Sequence, residues 1–134
     1  MHADTNAWIL KAEGDYLGAS TLAKKRNKKI AHLTCFAAQQ CAEKYLKAFL
    51  VENNITFPKT HDLTKDLLPR CLKIDREFSM LLPHLEYLDP YAVQFRYPGD
   101  IVTSEEALQS IKAMKIIRKF VRQKLDLEKQ RRLL

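Results

Sequence analysis

A stripe of four polar residues in an otherwise apolar stretch is the pattern with the clearest chemical potential. Gln40, Glu43, Lys44 and Lys47 are spaced i, i+3, i+4 and i+7, so on a helix they share one face about 100° wide. An amide, a carboxylate and two ammonium groups on one edge could bind and orient a phosphate-bearing ligand. The alternative is a solvated helix edge on which Glu43 and Lys47 form an ordinary ion pair.

A second candidate group is the segment Lys59-Thr60-His61-Asp62-Leu63. Asp62 is predicted to cap the helix that follows, because its side chain can accept from the first backbone N–H groups. His61 then stands beside the positive end of that helix dipole. A structural histidine is the alternative interpretation.

The third group is Arg96-Tyr97-Pro98, in a predicted loop. An arginine just before a proline loop can bind a phosphate or a carboxylate with two parallel hydrogen bonds. It can equally anchor the loop to the rest of the domain.

The C-terminal stretch is strongly basic. Residues 104–134 hold nine basic and four acidic side chains. Four of the basic residues share one face of the predicted helix, namely Lys112, Lys115, Lys119 and Arg122. Such a face is either a solvated surface or a contact surface for an RNA backbone.

These residues are positioned by elements that are almost all helical. Helical periodicity predicts helices over about 5–24, 30–53, 63–72, 76–88 and 104–129. Asp4 or Thr5 is the expected N-cap of the first helix, Pro69 and Pro83 should shorten or kink the two short ones, and Thr103-x-x-Glu106 predicts a capping box. Short connections favour an all-α, antiparallel up-down bundle of four or five helices. We expect one domain over residues 1–134 with a basic tail over about 126–134.

The composition narrows the possible functions. The chain has 134 residues, a net charge of +7 and a pI near 9.4, which permits phosphate-bearing partners. Three scattered glycines cannot form a glycine-rich phosphate loop, and the absence of a long apolar run predicts no membrane span. Three cysteines without a CxxC pair predict thiols in a reducing cytoplasm. No metal-ligand spacing is present, so neither a metal nor a cofactor is expected.

The ordered set of motifs resembles the HEPN family of helical domains. The most specific part is Phe36-Ala37-Ala38-Gln39-Gln40-Cys41-Ala42-Glu43-Lys44-Tyr45-Leu46-Lys47-Ala48, which resembles the Gln-x-x-Glu-Lys-x-x-Lys-Ala helix of that family. The tryptophan-led first helix precedes it, and Thr60-His61-Asp62-Leu63 and Arg96-Tyr97-Pro98 follow in the expected order. The resemblance covers nearly the whole chain.

The resemblance implies a helical bundle that is usually a homodimer, with a nucleotide- or RNA-related role. Many small prokaryotic members accompany a minimal nucleotidyltransferase in toxin–antitoxin-like pairs. Members that are ribonucleases carry an arginine followed, after four to six residues, by a histidine. Arg96 fits the arginine, but Ile101, Val102 and Thr103 occupy the histidine positions, and none of them can act as an acid or base near neutral pH.

The leading hypothesis is therefore a non-catalytic module that binds a nucleotide, or presents one to a nucleotidyltransferase partner. The expected ligand residues are Gln40, Glu43, Lys44, Lys47, His61, Arg96 and Tyr97. One alternative is a ribonuclease toxin that takes its base from His61 or His84. The other is a purely structural module in which the stripe serves dimerisation or internal salt bridges.

Overall fold

The computed structural model describes residues 1–93 and 97–127, and this part of the chain contains five α-helices. They are α1 (Ala3–Lys24), α2 (Ala31–Glu52), α3 (Leu68–Ile74), α4 (Leu82–Leu88) and α5 (Ser104–Lys124). No strand occurs among the described residues, so the predicted all-α bundle is confirmed. None of these helices is long and apolar enough to span a membrane.

The long helix α2 is the centre of the bundle, packed between α1 and α5. Thr5 near the start of α1 hydrogen-bonds Glu52 at the end of α2 (2.9 Å), so these two helices are antiparallel. At the other end, Ala31 and Cys35 of α2 share a buried cluster with Ala107 of α5. Helix α5 therefore runs in the same direction as α2 and antiparallel to α1.

The two prolines begin short helices rather than kinking longer ones. Pro69 stands in the first turn of α3, and Pro83 in the first turn of α4, where a missing N–H costs no helical hydrogen bond. The predicted third helix accordingly divides into a π turn over Leu63–Leu67 followed by α3. The predicted fourth helix divides into a 3₁₀ segment over Arg76–Leu81 followed by α4.

Two predicted helix ends are wrong. The N-cap of α1 is His2, whereas Thr5 is buried and its hydroxyl donates to Glu52 instead of capping. The last helix ends at Lys124 rather than near residue 129, and Asp126 just beyond it takes a left-handed backbone conformation (φ 56°) that interrupts the α-helix. The predicted basic tail lies almost wholly outside the described residues.

The segment between α2 and the π turn is fixed to the bundle by aromatic packing. Asn54 adopts a left-handed conformation (φ 60°) and reverses the chain after α2. Phe57 then packs edge-on against Trp8 of α1, with ring centroids 6.3 Å apart. From this contact the chain runs back along α2, so that His61 lies beside the polar stripe.

Candidate functional site

Two residues of the predicted stripe on α2, Glu43 and Lys47, are buried, and a hydrogen-bond network surrounds Glu43. The Nζ of Lys47 donates to Oε2 of Glu43 (3.0 Å), and the Nδ1 of His61 donates to Oε1 (2.9 Å). The Lys47 and Glu43 side chains are only 8% and 3% exposed. We call Gln39, Gln40, Glu43, Lys47 and His61 the Glu43 cluster.

Two glutamines complete the Glu43 cluster. The Nε2 of Gln39 donates to the backbone oxygen of His61 (3.0 Å) and lies 3.4 Å from Oε1 of Glu43. The Nε2 of Gln40 donates to Oε1 of Gln39 (2.7 Å). Sequence periodicity did not single out Gln39, although this fully buried amide helps to hold the 53–62 segment to α2.

The charge of Lys47 is also balanced by two aromatic faces. Its Nζ lies 5.4 Å from the ring centroid of Trp8 and 5.7 Å from that of Phe57. An ammonium group over an aromatic ring is stabilised electrostatically, most strongly where water is excluded. The Glu43 cluster is therefore satisfied internally, as expected of an architectural network.

Lys44 does not join the other stripe residues. Its Nζ donates to Oδ2 of Asp15 on α1 at 2.5 Å. None of Gln40, Glu43, Lys44 and Lys47 lines any of four prominent clefts in the described part of the chain. The stripe thus ties α2 to α1 on one side and to the 53–62 segment on the other.

His61 is the one member of the Glu43 cluster with an exposed side chain (68%). A buried carboxylate that binds one imidazole nitrogen fixes the tautomer and ring orientation, leaving the other nitrogen to accept or donate a proton. This pair resembles the base-and-orienter half of a catalytic triad.

A second polar region lies where the start of α2 meets residues 97–104. Lys28, Lys29 and His32 form one wall of a cleft of about 610 Å³ there. The other wall consists of Tyr97, Pro98, Asp100, Ile101, Val102, Thr103 and Ser104. We call this the Tyr97 cleft. Of the predicted ligand residues, Tyr97 lies here, and Arg96 lies outside the described residues.

Local hydrogen bonds shape both walls of the Tyr97 cleft. Asn27 caps a 3₁₀ turn over Lys28–Ile30 by accepting from the backbone N–H of Lys29 (2.9 Å). On the other wall, the carboxylate of Asp100 accepts from the backbone N–H of Tyr97 (3.2 Å). The sequence patterns did not single out Lys28, Lys29 or His32 as ligand residues, because the opposite wall of the cleft comes from a segment far away in the sequence.

The three cysteines all lie within the described part of the chain and none forms a disulfide. Burial raises the pKa of the Cys71 thiol to about 12, so this sulfur is protonated near neutral pH and is not a nucleophile. No group of three or more potential metal-binding side chains occurs among the residues that the structure describes.

The chain matches the model of the HEPN domain over residues 5–124. It belongs to the HEPN domain family, as the resemblance in its motifs predicts. No curated protein matches it significantly.

Two solved structures share this fold. The archaeal HEPN homologue ST0689 is 22% identical, with a TM-score of 0.68 over 90% of this chain and 96% of that one. TT1696 from Thermus thermophilus is 21% identical, with a TM-score of 0.73 over 92% and 99% of the two chains.

Proposed function

We propose that this HEPN domain is a non-catalytic module that binds a nucleotide through its phosphates, and that the Tyr97 cleft holds it. One observation supports this most strongly: Lys28, Lys29 and His32 face an aromatic side chain across one cleft. Two ammonium groups suit the charge of a phosphate chain. The aromatic ring of Tyr97 lines the same cleft, and aromatic rings are the side chains on which nucleotide bases stack.

The size and charge of the Tyr97 cleft agree with this ligand. A volume of about 610 Å³ falls within the roughly 300–1,000 Å³ of small-molecule sites. The carboxylate of Asp100 is the acidic side chain in the lining, and its hydrogen bond to the Tyr97 backbone keeps it within the loop. Two lysines against one carboxylate leave a positive surplus even when His32 is neutral.

Calorimetric titration with ATP tests the proposal. Each charge-assisted contact contributes about 1.5–3 kcal/mol before association costs, so we expect micromolar-class binding. Lys28→Gln/Lys29→Gln should weaken it at least tenfold. Lys24→Gln/Lys25→Gln is the matched control. It removes the same amount of charge from two exposed lysines that are close in the sequence but do not line the cleft. Equal losses in the two variants, or no heat from the wild-type protein, would reject the proposal.

The expected ligand residues divide between two roles in this proposal. Tyr97 contacts the ligand, and Arg96 stays a prediction of a phosphate contact because it adjoins Tyr97 in the sequence. The Glu43 cluster and Lys44 hold the bundle together, since Glu43 and Lys47 would have to leave a buried ion pair to reach a ligand.

We also propose that the protein is a homodimer, as many HEPN proteins are, and that α1 forms the interface. Exposed residues recur on α1 at spacings of 4, 3, 4, 3 and 4, the period of a coiled-coil seam: Ala3, Ala7, Leu10, Gly14, Leu17 and Thr21. Leu10 and Leu17 are 76% and 68% exposed.

An antiparallel pair of α1 helices suits this seam. With the twofold axis at the level of Ala12, Leu10 would meet the partner's Gly14 and Leu17 the partner's Ala7. Each large side chain then faces a small one, and no heavy atom lies within 4 Å of a Cβ position on Gly14. This orientation also brings Asp4 towards the basic cluster that ends the partner helix at 24–26.

The resemblance further supports a nucleotidyltransferase partner in a toxin–antitoxin-like pair in the cytoplasm. Co-expression with a small nucleotidyltransferase encoded beside this chain should yield a complex that stays intact through size-exclusion chromatography. A neighbouring reading frame of another kind, or no complex, would remove this part of the proposal.

A ribonuclease is the second candidate, and the exposed His61 bound to Glu43 favours it. If it is correct, purified protein should cleave RNA without added metal, and His61→Ala should abolish cleavage. A His32→Ala variant tests the imidazole that lines the Tyr97 cleft. Absence of RNA cleavage and of toxicity on expression would leave the non-catalytic proposal in place.

A further inference from the structure

A third cluster of charged residues lies between α1 and α5, away from both sites described above. A cleft of about 430 Å³ lies there, lined by Tyr16 of α1 and by five residues of α5: Lys115, Arg118, Lys119, Arg122 and Gln123. We call this the Arg118 cleft. Four of its six lining residues carry a positive charge.

The carboxylate of Glu13 orients both arginines. The Nε and Nη2 of Arg118 donate to the two oxygens of Glu13 on α1 at 2.8 and 2.6 Å. The Arg118 guanidinium also stacks 4.1 Å from the ring centroid of Tyr16. The Nη1 of Arg122 donates to the hydroxyl of Tyr45 (3.1 Å), which itself donates to Glu13 (2.6 Å). These guanidinium groups are therefore held in place before any ligand arrives.

The two lysines at the rim are not neutralised in this way. Lys115 and Lys119 are one helical turn apart and exposed, so their Cβ atoms are about 6 Å from one another. Neither forms an ion pair with any residue that the structure describes. The nearby carboxylate of Asp15 already binds Lys44. Lys115 and Lys119 therefore stand side by side with like charges, which repel at this spacing.

The geometry points to a phosphate site in the Arg118 cleft. The phosphate oxygens of the ligand lie between Lys115 and Lys119, above the oriented guanidinium groups. A multiply charged phosphate chain or a run of phosphodiesters relieves the repulsion between the two lysines. A single carboxylate would supply too little charge for two ammonium groups in a cleft of this size. This site is separate from the Tyr97 cleft and does not rest on the function proposed for it.

Two probes identify the source of the phosphate. Inorganic tripolyphosphate represents a free phosphate chain, and a short single-stranded RNA represents a phosphodiester backbone. Affinity is measured by calorimetry over a series of salt concentrations. Lys115→Gln/Lys119→Gln should weaken binding of the recognised probe at least tenfold and reduce the slope of log K against log[salt] by about 2. Both lysines are exposed, and an unchanged melting temperature will show that folding is intact.

The matched control is Lys65→Gln/Lys73→Gln, which removes two exposed lysines from other elements. Equal weakening in this control, or failure of the wild-type protein to bind either probe, would overturn the inference. Lys28→Gln/Lys29→Gln should leave this affinity unchanged. If that variant abolished all phosphate binding, the Arg118 cleft would be excluded while the function proposed for the Tyr97 cleft would stand.

Discussion

At the scale of single residues, two lysines of the same helical stripe have different roles. Lys47 is buried against Glu43 and two aromatic rings, whereas Lys44 is about one-fifth exposed beside Asp15. Removing one partner of a buried ion pair leaves an uncompensated charge in a poorly hydrated site. An ion pair that water reaches contributes much less.

Lys47→Met should therefore lower the free energy of unfolding by about 3–5 kcal/mol, while Lys44→Met should lower it by less than about 1 kcal/mol. Methionine keeps most of the apolar length of lysine, so the comparison isolates the charge. Urea unfolding followed by far-UV circular dichroism measures both values. Equal losses would contradict the architectural role given to the Glu43 cluster.

The ionisation of Glu13 predicts how the stability of the fold depends on pH. The hydrogen bond from Arg118 holds the pKa of the Glu13 carboxyl below its ordinary value, against the opposing effect of partial burial. An unfolded glutamate has a pKa of about 4.3. Because the folded value is lower, the stabilisation by ionised Glu13 is fully present above that pH and is lost as the pH falls through the folded pKa.

The difference in unfolding free energy between wild type and Glu13→Gln should therefore be constant near neutral pH and shrink once the pH falls below about 4. Other carboxyl groups titrate in both proteins, so their contribution cancels in the difference. Denaturant unfolding at a series of pH values measures it. A difference that stays constant into the acid range would show that the ion pair does not stabilise the fold.

At the scale of elements, hydrogen bonds at the start of α5 fix the position of one wall of the Tyr97 cleft. The side chain of Thr103 accepts from the backbone N–H of Glu106 (3.0 Å), and the Glu106 side chain accepts in return from that of Thr103 (3.2 Å). This capping box fixes the start of α5. Since Thr103 and Ser104 both line the Tyr97 cleft, the cap also positions one of its walls.

Thr103→Ala should lower the free energy of unfolding by about 1 kcal/mol and increase amide hydrogen exchange at Ser104–Ala107. Thr103→Ser keeps a hydroxyl that can cap, so it should behave as the wild-type protein does. Denaturant unfolding and exchange measured by NMR test both effects. An alanine variant with unchanged exchange in the first turn of α5 would contradict the importance of the box.

Local sequence signals predicted several element boundaries correctly. The capping box at Thr103 is confirmed, and Asp62 caps the π turn by accepting from the backbone N–H of Lys65 (2.8 Å). Errors arose where tertiary contacts override local preference. Thr5 was expected to cap α1, yet the carboxylate of Glu52, far away in the sequence, binds its hydroxyl.

At the scale of the whole molecule, the clefts could not be predicted from periodicity. The walls of the Tyr97 cleft come from residues 28–32 and 97–104, and the packing of the start of α2 against the start of α5 brings them together. Periodicity correctly placed Glu43 and Lys47 on one face of a helix. It could not show that the 53–62 segment would bury that face, because this depends on the contact between Trp8 and Phe57.

The proposed α1 interface predicts an effect on oligomeric state. Leu10→Glu/Leu17→Glu should convert a dimer into a monomer, because four carboxylates would meet along the seam. Met80→Glu is the control, since Met80 is 67% exposed on a different element. Light scattering coupled to size-exclusion chromatography measures the mass. A monomeric wild-type protein, or a double variant that remains a dimer, would contradict this interface.

The central claim is that phosphate-bearing ligands enter the Tyr97 cleft and not the Glu43 cluster. An NMR titration of ¹⁵N-labelled Lys115→Gln/Lys119→Gln protein with ATP tests it most directly, because this background removes the two lysine charges on which the proposed site in the Arg118 cleft depends. The account predicts the largest amide shifts at residues 28–32 and 97–104. Shifts confined to residues 40–47 and His61, or no shifts at all, would contradict it.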